Sequence, residues 1–265
     1  KHMKSGCVNV VTGATVTRVL IENGKAYGVE YLVKGKYHRL LADDVILSAG
    51  AVHSPKILMH SGVGPAEQLQ KFGIDVKVDA PEVGENLQDH PIFCVRSYVR
   101  GNIGYQNISS GLGTAKAALQ YLLTKDGPAA GNCIETVSHW NPDDLTADPT
   151  IQCYHVPVIS EDGLIPTGKR SGVTLELVIL QPDSRGWVRL ADADPTSMPQ
   201  INPNFIGDER DLKKAVGAVK AIREVMRQQS LAAVLEEELE PGVETQSDEA
   251  IGQWVRKVAN TMWHP

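Results

Sequence analysis

A short apolar run that leads through small residues into a helix limits the fold class of this chain more narrowly than any other segment. Val45-Ile46-Leu47-Ser48 has the continuous apolar character of a strand buried on both faces. After Ala49-Gly50-Ala51, Ser54-Pro55 predicts a helix start, because serine caps free N–H groups and proline is tolerated at the first helical position. This strand, turn and helix order predicts an α/β fold that binds a ligand at the carboxyl end of the strand.

The residues on either side of this run add strands and a helix. Val16 to Ile21 and Ala26 to Val33 are joined by Asn23-Gly24, a dipeptide that readily adopts the positive φ angles of a tight hairpin. Tyr37 to Leu41 predicts a third strand of the meander. Pro65 to Phe72 predicts another short helix.

The pattern changes after Ile92, and we place a domain boundary close to residue 95. A glycine- and asparagine-rich stretch follows, and then a helix near Thr114 to Leu123. Three later segments predict an antiparallel sheet: Ile151 to Ile159, Thr174 to Leu180 and Trp187 to Leu190.

Two amphipathic helices are predicted in the last sixty residues. Asp208 caps the first, whose apolar residues recur on one face at helical spacing. They are Leu212, Ala215, Val216, Val219, Ile222 and Met226. Ser247 starts the second, which leads to Trp263-His264-Pro265, whereas the acidic run Glu236 to Glu240 is interpreted as a solvated helix end.

Composition excludes several functional classes. The 265 residues carry a net charge of -6, so there is no general basic field and nucleic acid is not an expected partner. The longest apolar runs are strand-sized, which predicts a soluble chain without a membrane span. The four cysteines form no CxxC pair and the histidines no HxxxH pair, so neither a disulfide framework nor a metal site is expected. Lys1-His2-Met3 resembles neither a signal peptide nor a natural start, so localisation stays unknown.

Ordered motifs along the chain carry a family resemblance. The segment from Gly50 to Gly64 matches the second signature of the glucose-methanol-choline (GMC) oxidoreductases throughout. Other blocks are similar to further motifs of that family: Gly13 to Val16, Val83 to Pro91, Gln181 to Gly186 with Ala193-Asp194-Pro195, and Trp263-His264-Pro265. The chain is therefore identified as a carboxyl-terminal fragment of a GMC oxidoreductase.

The resemblance implies a mixed α/β fold, FAD as cofactor and a small-molecule alcohol as substrate. Residues 1–95 would form part of a doubly wound FAD-binding domain. Residues 96–258 would form mainly the substrate-binding domain, with an antiparallel sheet flanked by helices, and residues 259–265 the active-site histidine segment.

The resemblance also implies roles for individual residues. The backbone of Val16 would meet the adenine ring, and Ala49-Gly50-Ala51 would pack close to the adenosine half of FAD. Ordinary packing between strand and helix is the alternative for these small residues. His264 would accept the hydroxyl proton of the alcohol, and Trp263 would wall the pocket, lie against the flavin or serve as a core aromatic. His53, His90, His139 and His155 are weaker candidates.

Two family elements have no counterpart here. No GxGxxG turn follows a strand, and a second catalytic His or Asn is expected beyond residue 265. The remaining part of the same polypeptide is therefore the expected partner, and the chain alone is not expected to turn over. The alternatives are the same scaffold used for non-redox or light-driven chemistry, of the hydroxynitrile lyase or decarboxylase type, and a noncatalytic fragment.

Overall fold

The computed structural model describes residues 7–108, 111–134, 136–160, 167–168 and 170–264. The chain divides into two compact units: unit 1 is Lys1–Leu87 with Arg185–Asn204, and unit 2 is Gln88–Ser184 with Phe205–Pro265. The change of unit falls at residues 87 and 88 rather than near residue 95, and 185–204 returns to unit 1. The cofactor and substrate roles of these regions stay a prediction.

The chain combines helices with antiparallel sheets, as expected for a mixed α/β protein, and the fold class is confirmed. The helices are α1 (Gly50–His60), α2 (Ala66–Lys71), α3 (Gly111–Thr124), α4 (Glu209–Arg227), α5 (Gln229–Ala232) and α6 (Asp248–Val258). The strands are β1 (Ala14–Glu22), β2 (Lys25–Val33), β3 (Lys36–Leu41), β4 (Val63–Gly64), β5 (Val78–Asp79), β6 (Pro91–Val99), β7 (Thr136–Trp140), β8 (Ile151–Val156), β9 (Gly172–Ile179), β10 (Trp187–Arg189), β11 (Gln200–Asn202), β12 (Leu235–Glu240) and β13 (Asn260–Thr261).

Unit 1 is built on the predicted antiparallel meander β1-β2-β3. Asn23 and Gly24 have φ angles of 50° and 74°, which are the positive values that the hairpin requires. Helix α1 packs against β1, and the Ser61 hydroxyl accepts a hydrogen bond from the Val19 N–H at 2.8 Å. The hairpin prediction is confirmed, and α1 is fixed to the meander by both packing and a buried hydrogen bond.

The predicted strand at residues 45–48 is wrong. These residues form no strand, and the Ile46 side chain is 86% exposed. A strand needs hydrogen bonds from a neighbour, and the described residues provide no strand beside this run. The helix start at Ser54 is also wrong, because α1 begins at Gly50 with Pro55 inside it, and the Ser54 hydroxyl accepts from the Ala49 N–H at 3.1 Å.

Unit 2 is an antiparallel sheet covered on one face by helices, as predicted. Its strand order is β12-β6-β9-β8-β7, and β13 also pairs with β6. The inward residues of α4 and α6 form one core with alternate residues of β6, β8 and β9. Both predicted caps are confirmed: Asp208 accepts from the Arg210 N–H at 2.9 Å and Ser247 from the Ala250 N–H at 3.1 Å.

Three segments differ from the sequence predictions. Strand β6 forms where only a loop-like change of character was recognised. The acidic run is the edge strand β12 rather than a helix end, because its backbone pairs with β6, and Glu238 forms an ion pair with Arg223 of α4 at 2.6 Å. Strand β10 pairs with β11 in unit 1 instead of joining the sheet of unit 2.

Candidate active site in unit 2

The carboxyl-terminal histidine is held beside the first residues of β6. Strand β13 follows α6 and pairs with β6, so that Asn260 lies opposite Ile92 and Thr261 opposite Pro91. Beyond this pair, the His90 N–H donates to the His264 carbonyl at 3.2 Å, and the Met262 N–H donates to the His90 carbonyl at 3.1 Å. Backbone pairing therefore places the last residues of the chain at a defined position along the sheet.

The side chains of His90 and His264 meet edge to face. Their ring centroids lie 5.2 Å apart at an interplanar angle of 71°. Burial and the neighbouring His264 lower the pKa of His90, although the Leu180 backbone and Asp89 act in the opposite direction. His90 is consequently neutral near pH 7, and its Nδ1 is enclosed without a hydrogen bond among the described residues. The site thus pairs an exposed imidazole, His264, with a partly buried neutral one.

A hydroxyl and a carboxylate order the turn that carries His264. The Thr261 hydroxyl donates to the Asp89 carboxylate and accepts from the Trp263 N–H, the latter at 2.8 Å. Trp263 has a φ of 63° and is 75% exposed, so it is not a core aromatic of the described structure. Its predicted role as a pocket wall stays a prediction, and Asp89 is a positioning residue that the sequence analysis did not single out.

The residues predicted to approach the adenosine lie in unit 1. Val16 is part of β1 and lies opposite Tyr31, whereas Ala49, Gly50 and Ala51 are exposed at the start of α1. Gly50 has a φ of 79°, and a Cβ at this position would meet open space. An adenosine could therefore approach the backbone of Ala49 to Ala51 without meeting a neighbouring side chain at Gly50. Their role in binding stays a prediction.

Two other glycine pairs could be mistaken for a phosphate-binding turn: Gly62 with Gly64, and Gly111 with Gly113. The first pair packs tightly against its own unit. A Cβ on Gly62 would lie 2.3 Å from the Asp75 carbonyl oxygen, and one on Gly64 would lie 2.8 Å from Cγ of Met59. Packing accounts for both glycines. In the second pair, a Cβ on Gly113 would lie 2.2 Å from the Asn107 carbonyl oxygen, so packing accounts for Gly113 as well.

Comparison with known proteins identifies the chain. Sequence models described as GMC oxidoreductase match residues 1–92 and 182–265. The chain belongs to the GMC oxidoreductase family. As a GMC oxidoreductase it is 35% identical to human mitochondrial choline dehydrogenase, over 94% of this chain and 42% of that protein. It is 32% identical to the chloroplastic fatty acid photodecarboxylase of Chlamydomonas reinhardtii, over 98% of this chain and 47% of that protein.

A solved structure shares the fold of this GMC chain. Formate oxidase of Aspergillus oryzae, in a study of FAD modification, superimposes with a TM-score of 0.84 at 24% identity, over 95% of this chain and 49% of that one. The match confirms the fold, and membership of the GMC oxidoreductase family supports FAD as the cofactor, as the sequence predicted. The chain spans about half the length of the relatives it matches, so activity and substrate are inferred below.

The three other candidate histidines of this GMC chain have different settings, each within its own unit. His155 shares a hydrogen bond of 3.1 Å with the Ser138 hydroxyl, and burial lowers its pKa. His53 is exposed on α1, and His139 is part of β7. No group of three His, Cys, Asp or Glu side chains within the described ranges could hold a metal ion. No helix in the described ranges combines the length and apolar character needed to cross a bilayer.

Proposed function

We propose that the polypeptide containing this chain oxidises an alcohol with FAD as the hydride acceptor and His264 as the proton acceptor. Family membership supports FAD-dependent oxidation. The position of His264, beside the neutral His90 and just beyond strand β13, where its carbonyl accepts from the His90 N–H, supports its role in proton transfer.

The neutral state of His90 favours proton acceptance by His264. When His264 accepts a proton, the neighbouring His90 carries no positive charge that would oppose it. The Thr261 hydroxyl and the Asp89 carboxylate hold the turn, so the imidazole loses little freedom on binding a substrate. His264 can thus act as a positioned general base.

The difference in pKa between an alcohol and imidazole determines the order of proton and hydride transfer. With an alcohol as acidic as water, at pKa ~15.7, and imidazole near 6.5, complete prior deprotonation would cost about 12 kcal/mol. The bound flavin supplies the acceptor for the hydride of the alcohol carbon. We therefore expect His264 to take the proton as the hydride leaves rather than before.

The test uses the longest natural polypeptide that contains this chain, loaded with FAD. A panel of alcohols should bleach the flavin without oxygen, and His264→Ala should slow bleaching by roughly 10²- to 10⁴-fold with the flavin content retained. His38→Ala is the matched control, since His38 is an exposed histidine on β3 of unit 1 and is not among the candidate site residues. Failure of every alcohol to reduce the flavin, or equal rates in the two variants, would contradict the proposal.

The similarity to a fatty acid photodecarboxylase supports a second candidate, in which the scaffold serves light-driven or other non-redox chemistry. Light-dependent release of carbon dioxide, or release of cyanide from a hydroxynitrile, without reduction of the flavin by alcohols would favour it. Stable flavin-free folding with a specific protein partner would instead favour a noncatalytic module.

A further inference from the structure

Helix α3 exposes nearly its whole surface, including four leucines on one side. Their exposed fractions range from 57% at Leu119 to 90% at Leu112, with Leu122 and Leu123 between these values. Their spacing places all four on one face of an α-helix, together with the exposed Ala115. We call these five residues the leucine face. Single exposed leucines are normal, but a contiguous apolar patch marks a surface for interaction.

The opposite side of α3 attaches the helix to unit 2. Ala117 is its buried residue, and a Cβ on Gly113 would lie 2.2 Å from the Asn107 carbonyl oxygen. The Gln120 side chain lies over Gly127, where a Cβ would be 2.5 Å from its Nε2. Small residues therefore fit the inner side closely against unit 2, whereas the leucine face points away from it.

The charged side chains of α3 are positive. Lys116 and Lys125 are the charged residues between positions 111 and 125, in a chain whose net charge is -6. Lys125 lies over the Tyr121 ring, 5.0 Å from its centroid. The first acidic residue after the helix, Asp126, accepts from the Gly127 N–H at 2.7 Å. A second copy of this face would bring lysine towards lysine, whereas anionic lipid headgroups match the positive charge.

We propose that the leucine face of α3 binds the surface of an anionic lipid bilayer. The leucines enter the boundary between headgroups and acyl chains, and the lysine stems let the ammonium groups reach the phosphates. Tyr121 lies at the headgroup level, where aromatic rings with a polar end accumulate. The 14 residues of α3 extend about 21 Å, which is shorter than the ~30 Å hydrocarbon core. The helix therefore lies on the bilayer instead of spanning it.

The test uses the longest natural polypeptide that contains this chain, loaded with FAD, and vesicles of phosphatidylcholine with or without phosphatidylglycerol. Wild-type protein should sediment with the anionic vesicles. Leu119→Glu should weaken this binding by roughly 30-fold or more, because it removes apolar contact and adds a repelled charge. Gln120→Glu is the matched control, since it adds the same charge at the next residue but on the inner side, and it should weaken binding by about fivefold at most.

Lys116→Gln tests the electrostatic part of the proposal. It should weaken binding to the anionic vesicles by roughly fivefold and leave binding to the neutral ones unchanged. Wild-type protein that binds the anionic vesicles no more tightly than the neutral ones would overturn the proposal. So would a Leu119→Glu variant that binds as well as Gln120→Glu.

Stability and mass distinguish the bilayer from other ways of covering the leucine face. Leu119→Glu should keep the melting temperature, the flavin content and the mass in sedimentation equilibrium of the wild-type protein. A lowered melting temperature would show that the rest of the polypeptide covers this face. A halved mass would show that a second copy covers it. Either result would overturn the proposal, and none of these measurements depends on whether an alcohol is oxidised.

Discussion

Helix α4 and residues 45–48 both show apolar patterns that predict buried elements, but only α4 has the predicted structure. The hydrogen bonds of α4 are internal, and its stripe, including Val219 and Ile222, is buried against the sheet of unit 2. Residues 45–48 would need neighbouring strands for their hydrogen bonds, and Ile46 is instead 86% exposed. An apolar pattern therefore predicts structure reliably when the same chain also supplies the surface that buries it.

Strand β12 extends this comparison to a polar segment. Its glutamates resemble a solvated helix end in sequence, but the largely buried Glu238 forms a bidentate pair with Arg223 of α4. Arg223 also donates to the backbone carbonyls of Gly242 and Thr245. Residues 45–48 have no strand beside them among the described residues, whereas β12 has β6 to pair with and Arg223 as the charged partner of Glu238.

The largest expected effect comes from removing this partner. Arg223→Met leaves Glu238 buried without its counter-charge, and we expect a loss of about 3–5 kcal/mol in the free energy of unfolding of unit 2. Urea unfolding followed by the fluorescence of Trp140 and Trp254, which pack against the core of unit 2, measures it. Arg227→Met is the control, because Arg227 forms an exposed pair with Glu224. Equal losses in both variants would show that the buried pair does not hold β12.

Truncation of two isoleucines tests the comparison between α4 and residues 45–48 directly. Ile222→Ala removes a side chain that is 2% exposed and should cost about 2–5 kcal/mol in urea unfolding. Ile46→Ala should change the stability of the 265-residue chain by about 0.5 kcal/mol or less. In the longer natural polypeptide we expect Ile46→Ala to become costly, because partner strands would bury it there. An unchanged small effect in that longer form would mean that the run is not a strand in either context.

Local signals predicted the turns and caps, and long-range partners explain most of what the sequence did not reveal. Asn23-Gly24 and the caps Asp208 and Ser247 were predictable because each acts on residues within three positions. Strand β12 was not, because its partner strand β6 and the Arg223 side chain both lie outside its local sequence. His264 was recognised from its motif, whereas the burial of Glu176 between β6 and β8 depends on neighbouring strands that no local pattern encodes.

Asp211 is a buried carboxylate on α4, and its ionisation predicts a pH-dependent stability. Its buried carboxylate accepts from the backbone N–H groups of Asp183 and Ser184, at 2.8 and 2.7 Å, and from the Ser184 hydroxyl at 2.6 Å. Burial alone would raise the pKa of Asp211, but these hydrogen bonds and Lys214 lower it below its usual value. The carboxylate therefore stabilises the folded state above the unfolded-state pKa of ~3.9, and this contribution is lost as the pH falls through the lower folded-state pKa.

Asp211→Asn should consequently reduce the free energy of unfolding by roughly 1–3 kcal/mol at pH 7. The difference from wild type should shrink as the pH falls below about 4, where wild-type Asp211 begins to lose its own advantage. Urea unfolding at a series of pH values measures both effects. Asp143→Asn is the control, because Asp143 is an exposed partner of Lys213. A loss that stays constant with pH would indicate a change of packing rather than of charge.

The smallest expected effect distinguishes Ser247 from Ser54, both of which predict a helix start from sequence. The Ser247 hydroxyl caps α6 by accepting from the Ala250 N–H, so Ser247→Ala should cost about 1 kcal/mol in urea unfolding. Ser54 lies inside α1 and accepts from the exposed Ala49 N–H, which water can satisfy equally well. Ser54→Ala should therefore cost about 0.5 kcal/mol or less. Equal losses would mean that α1 starts at Ser54 in solution. The exposed backbone from Ala49 to Ala51 would then lie before the helix rather than at its start.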